Sequence, residues 1–90
     1  MVEKIYVLNN EEGLHARPAT MLANESMKFS CDFKMLKNDN KDKVYQPKSI
    51  LSVMSMGAAK GDQITIIAEG EDEKEASAVI GSLFECGFKE

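Results

Sequence analysis

Two hydrophobic periods alternate along this sequence and together predict a mixed fold. Residues 3–8, EKIYVL, are rich in β-branched and aromatic side chains and predict a strand. NNEEG at 9–13 predicts a turn or loop with Gly13 as its flexible point. From residue 16 the period lengthens. Ala19, Leu22, Ala23, Ser26 and Phe29 follow helical spacing and predict a helix over about 16–28. Pro18 agrees with that reading, because first-turn N–H groups have no intrahelical acceptor and a proline there costs little. In CDFKMLK, 31–37, Phe33 and Met35 alternate with Asp32 and Lys34, as in a strand with one buried and one wet face. NDNKD at 38–42 predicts a polar turn, KVYQ at 43–46 a returning strand that completes a hairpin, and Pro47 its end.

SILSVMSMG at 49–57 predicts a short helix with Ser49 as N-cap and Gly57 just past its C-terminus. KGD at 60–62 turns the chain, and QITIIA at 63–68 predicts a strand. The acidic start of EGEDEKEA suits the positive end of a last helix. Ala76, Val79, Ile80 and Leu83 share one face of it, and Gly87 followed by Phe88 predicts a C-terminal cap with its apolar contact. The order is β-α-β-β-α-β-α. It predicts an α+β architecture in which one four-stranded antiparallel sheet carries three helices on one face, an open-faced sandwich. Ninety residues without an internal repeat or linker predict a single domain over 1–90.

Composition narrows the function. The 15 acidic and 11 basic residues give a net charge of −4, which argues against direct nucleic-acid binding. No apolar run approaches the length of a membrane span, and MVEKIYVLNN lacks the apolar core of a signal peptide, so a cytoplasmic protein is expected. Cys31 and Cys86 lack metal-type spacing, and with one histidine they make a poor ligand set. Two buried or half-buried free thiols and no metal or cofactor are expected.

The single histidine, His15, lies in GLHARPAT, 13–20, at or beside the predicted N-cap. The N–H groups of Ala16 and Arg17 there have no intrahelical partner, and with the helix dipole they form a site for an anion. Arg17 adds a fixed charge and a bidentate donor. A neutral imidazole beside a phosphate-sized anion site keeps a ring-nitrogen lone pair and can accept a phosphoryl group, a reaction that depends mainly on positioning and charge stabilisation. The bland alternative is a surface histidine that caps a helix in an interaction module. A histidine-phosphatase reading fails on the offset of the arginine and on the absence of a second histidine.

GLHARPATML, 13–22, resembles the active-site motif of the histidine-containing phosphocarrier family, HPr, of the phosphoenolpyruvate-dependent sugar phosphotransferase system. KSILSVMSMGAAKGDQITI, 48–66, resembles the family's second signature, around its regulatory serine. The resemblance covers essentially the whole chain and implies a phosphoryl-carrier protein rather than a turnover enzyme. It implies that His15 is phosphorylated on the ring nitrogen nearer the backbone (the pros nitrogen), that Arg17 stabilises the phosphoryl group, and that Ser49 is a regulatory phosphorylation site. It further implies that Leu51 and Met54 dock partners beside His15. The implied donor is enzyme I, and the implied acceptors are the A domains of sugar-specific permeases. A serine kinase/phosphorylase and a catabolite-control transcription factor are further implied partners, and the carrier is expected to be a monomer. A serine-only relative lacks the histidine and is set aside by His15.

Ser49 also has a plain role, since as an N-cap its hydroxyl contributes roughly 1 kcal/mol. Of the apolar residues on this short helix, Val53 reads as core, whereas a methionine-rich exposed face suits a surface that repacks against several partners. The sequence departs from the family pattern in four places. Glu12 precedes the first glycine where serine or threonine is common. The turn at 38–43 is about three residues longer than usual. Pro47 stands where leucine is common, and Ser52 where glycine is common.

Overall fold

The computed structural model describes residues 1–88. Strand β1 (Val2–Val7), helix α1 (Arg17–Ser26), strand β2 (Asp32–Lys37), helix α2 (Ile50–Ser55), strand β3 (Gln63–Glu69) and helix α3 (Glu73–Glu85) follow one another. The strands form an antiparallel sheet in the order β1-β3-β2. The register sets Tyr6 opposite Ile64, Met35 opposite Ile66 and Phe33 opposite Ala68, so the two-residue period of the strands places these side chains on one face, as read in the sequence for Phe33 and Met35. There they join Leu22 of α1, Val53 of α2, and Ile80 and Phe84 of α3 in one core. The opposite face carries Ile5 and Val7 in the open. Helix α3 packs on β1 and β3, and α1 packs on both other helices.

The predicted fourth strand is reduced to a single bridge. Tyr45 and Met35 exchange backbone bonds of 2.8 and 2.9 Å, and no other residue of 43–46 enters the sheet. The turn explains why. Asn38 and Asp39 both take positive φ, 52° and 58°, and Asn40 N–H donates to Lys37 C=O at 3.0 Å, the geometry of a two-residue hairpin turn. A ladder continued from that turn would set Met35 opposite Asp42. It meets Tyr45 instead, three residues further on, so the chain bulges between turn and bridge. Beyond the bridge the Gln46 N–H is taken by the Ser52 hydroxyl at 2.9 Å, and Pro47 has no N–H to offer.

Helix ends differ by a residue or two from the predicted ones. Helix α1 begins at Arg17 and stops at Ser26. Ser49 caps α2 as predicted, its hydroxyl accepting the Ser52 N–H at 3.2 Å. After α3 the Gly87 N–H reaches Phe84 C=O and the Phe88 N–H reaches Leu83 C=O, while the Phe88 ring meets Phe84 edge-on at 5.0 Å, the expected cap and its apolar contact. Cys31 is buried, but Cys86 is exposed, because it is the C-cap residue of α3 and lies beyond the helix's packed face.

Two carboxylates tie loops to the sheet. Asp72 accepts the N–H groups of Ser30 and Cys31 at 2.8 and 2.9 Å, joining the start of α3 to the start of β2. Asp62 accepts the Ala59 N–H at 2.8 Å and the Asn38 amide at 3.2 Å. These donors, the Ser30 N–H foremost for Asp72 and the Ala59 N–H for Asp62, hold both carboxyls below their ordinary range. A depressed folded pKa stabilises the fold above the unfolded value of about 4, and that stability is lost as pH falls through the lower folded value. The melting temperature should therefore drop below about pH 4. The drop should be shallower in Asp72→Asn and Asp62→Asn; equal slopes in a pH series would rule the two carboxylates out as its cause.

Candidate functional site

The segment between β1 and α1 is anchored before it is exposed. Asn10 brackets Gly13, its C=O accepting the Gly13 N–H at 3.2 Å and its side-chain amide donating to Gly13 C=O at 2.8 Å. The Leu14 N–H then donates to Ala58 C=O at 3.1 Å, and the Leu14 side chain is fully buried. Gly13 has φ +63°, and a Cβ placed on it would lie 2.2 Å from the Ala58 oxygen, so the chain needs glycine here for both conformation and contact. Lys60 pairs with Glu11 at 2.9 Å across the same two loops.

Beyond this anchor His15, Ala16 and Arg17 are all exposed. Ala16 is the N-cap of α1, with φ 52° and ψ −122°, a conformation that L-residues rarely adopt. Its carbonyl receives the first helical bond, from the Thr20 N–H at 3.1 Å, and the Thr20 hydroxyl at 3.3 Å. Arg17 and Pro18 open the helix; among the described residues no side chain caps it, and its first turn holds no acidic residue. The first-turn N–H groups of the helix therefore point outward beside the Arg17 side chain. The sequence places Ala16 inside the helix; the structure places it at the boundary, so the outward N–H groups begin with Arg17. Arg17 also lines a surface depression with Asn10, Glu12, Pro18 and the C-terminal cap residues Gly87 and Phe88. The structure thus brings the far end of α3 to the arginine, a proximity without a local sequence signal.

The Ser49 region is a second built element. The Ser49 N–H donates to Gln46 C=O at 3.1 Å, the Ser52 N–H donates to the Ser49 hydroxyl, and the Ser52 hydroxyl accepts the Gln46 N–H. Ser52, one of the departures from the family pattern, therefore holds the approach to Ser49. Leu51 is 82% exposed and Met54 is also exposed; Ile50, which the sequence did not single out, joins them, while Val53 and Met56 are core.

The comparisons extend over the whole chain. A family model described as the PTS HPr component phosphorylation site matches residues 2–86. A multiphosphoryl transfer protein of Haemophilus influenzae is 33% identical over 89 residues, 99% of this chain and 18% of its own. This chain therefore spans about a fifth of the length of that curated relative. HPr-C-His from Thermoanaerobacter tengcongensis superposes with a TM-score of 0.90 at 36% identity, covering 100% of this chain and 98% of its own. The histidine-containing phosphocarrier protein of a Mycoplasma superposes with a TM-score of 0.86 at 34% identity, over 97% of both chains. Among the described residues no helix is long and apolar enough to cross a membrane.

Proposed function

The chain belongs to the HPr family of the phosphotransferase system, a family of phosphoryl carriers rather than catalysts, and from that premise we propose that His15 is the residue that carries the phosphoryl group. The observation that supports this most is the placing of the chain's one histidine, exposed, two residues before the arginine that opens a helix whose N-terminus no described side chain caps. The lone pair of the His15 Nδ1 attacks the phosphorus held by phospho-enzyme I. The bond from phosphorus to the donor breaks as the new P–N bond forms. Arg17 and the helix end meet the charge of the transferring oxygens by charge-assisted hydrogen bonds. The second transfer, to the A domain of a sugar permease, runs the same step in reverse on a new acceptor. Both encounters belong in the cytoplasm. Incubation with phosphoenolpyruvate and enzyme I should give an acid-labile gain of one phosphoryl mass; no gain would overturn the reading.

Arg17→Ala should slow this transfer by about tenfold or more, since one charge-assisted contact to a developing anion is worth roughly 1.5–3 kcal/mol. Quenched-flow labelling measures it, and a rate within about twofold of wild type would remove Arg17 from the transfer step.

Ser49 is read as a regulatory site on the same surface. It is exposed at the N-terminus of α2, where added negative charge is tolerated by the helix, and it adjoins the exposed Ile50, Leu51 and Met54. A phosphate there changes what docks, not whether the chain folds. Ser49→Asp should weaken binding to enzyme I by at least about fivefold while the melting temperature holds level or rises. Unchanged affinity in a titration would leave Ser49 a cap and nothing more. On this reading the serine kinase/phosphorylase and a catabolite-control transcription factor are partners of α2.

A further inference from the structure

Residues 10–13 form a tight turn, closed by the Gly13 N–H on Asn10 C=O at 3.2 Å, with asparagine first and glycine last as such turns favour. The Asn10 side chain adds a bond that the turn does not require. It reaches over the turn, and its amide donates to Gly13 C=O at 2.8 Å. Gly13 C=O and Leu14 N–H are the two ends of one peptide plane. Asn10 holds one end, and Ala58 C=O holds the other at 3.1 Å. A peptide plane held at both ends is fixed in orientation, and the residue that follows Leu14 is His15. Of the hydrogen bonds made by Gly13 and Leu14 among the described residues, the Asn10 amide's is the one a side chain supplies.

The far side of His15 is tied as well. Ala16 C=O receives the Thr20 N–H and the Thr20 hydroxyl, which fastens it to α1. Ala16 itself has φ 52°, and strained backbone of this kind persists only where its surroundings over-determine it. The Asn10 carboxamide also carries a cost. Its oxygen is buried and meets no donor among the described residues. An unmet buried acceptor opposes folding, so stability alone does not explain an asparagine at this position. Asn10 lines the same depression as Arg17, which sets its carboxamide beside the phosphoryl site.

We propose, resting on the reading of His15 as the phosphoryl acceptor, that Asn10 is a positioning residue for the transfer. Its side-chain amide holds the peptide between Gly13 and Leu14 so that His15 and the strained Ala16 keep the geometry of attack. Asn10 acts through the backbone. When its amide lets go, the strain at Ala16 relaxes back through residues 13–15, and the imidazole turns off its line to the phosphorus. Misplacement of a reacting group costs rate more than binding.

Asn10→Leu and Asn10→Asp test this on the full chain, labelled with phosphoenolpyruvate and enzyme I. Leucine offers neither donor nor acceptor. In Asn10→Leu the kcat for labelling should fall at least about fivefold, with the KM for the carrier within about twofold of wild type. The melting temperature should hold level, since the orphaned oxygen goes with the lost bond. Aspartate keeps the shape, but its carboxylate only accepts, and its protonated form donates again. The Asn10→Asp rate should therefore be low near about pH 8 and recover toward wild type as pH falls to about 5, because burial raises such a carboxyl above its ordinary value of about 4. Glu11, Glu12, His15 and Arg17 are common to both proteins, so each rate is read against wild type at the same pH. The NMR signals of the chain's one imidazole report the same hold without enzyme I, and they should shift in Asn10→Leu. Wild-type rates in both variants, unmoved imidazole signals, a rate lost together with the cooperative melt, or a flat Asn10→Asp pH ratio would each overturn the proposal. Wild type that takes no label would overturn the carrier reading instead, and the imidazole signals would still decide on Asn10.

Discussion

His15→Ala should leave a folded protein that takes no acid-labile phosphate from phosphoenolpyruvate and enzyme I. Both halves of the result follow from position. The imidazole is exposed and lies outside the core, so its removal should shift stability by no more than about 0.5 kcal/mol, the range of ordinary surface substitutions. No second imidazole exists in the chain to take over the attack. Serine or threonine oxygens would give phosphate esters, which acid does not cleave. Labelling by mass spectrometry before and after acid treatment, beside a melting curve, separates the outcomes. Acid-labile label retained by the variant would remove His15 from the relay. Label lost together with the cooperative melt would mean the loop, and not the nucleophile, had been destroyed.

The parts of the fold that burial dictates were legible. Phe33 and Met35, and Leu22 and Ile80, all lie in the core on the faces that their spacing predicted, because a side chain's period decides which face it shows. Ser49 was legible as a cap because its hydroxyl is matched to a local N–H. What could not be read depends on register and on distant neighbours. KVYQ has strand-like residues, but the three extra residues after the Asn38–Asp39 turn carry it past its partners, and only Tyr45 bonds to β2. Ala16 gives no sign of its positive φ, since alanine is not a residue that seeks one. The Asn38 amide, Asp62 and Ala59 are brought together by the meeting of two loops, which no local pattern records. For the site, the histidine, the arginine and the proline were visible in sequence. The anchor that presents them, Leu14 on Ala58, was not.

That anchor carries the second large effect. Gly13→Ala should lower stability by roughly 2–5 kcal/mol and slow the labelling of His15 in the fraction that remains folded. Two terms contribute. Alanine at φ +63° costs about 1–2 kcal/mol, since its Cβ crowds the carbonyl in the left-handed region. The new Cβ would also lie 2.2 Å from the Ala58 oxygen and 2.8 Å from the Ala59 Cα, both backbone, so no side chain can swing aside. Relief requires the two loops to part, which breaks the Leu14-to-Ala58 bond and draws the buried Leu14 outward. His15 is the next residue and would move with it. Gly57 supplies the control, because its φ of +64° matches and a Cβ there meets nothing within 4 Å. Gly57→Ala should therefore show the backbone cost alone, and the excess for Gly13→Ala measures the loop contact. For a domain of this size each 1 kcal/mol is about 4–8 °C in melting temperature, so the two variants should separate by about 5 °C or more. Equal melting temperatures would show that the loops part freely, and that Ala58 does not hold His15 in place.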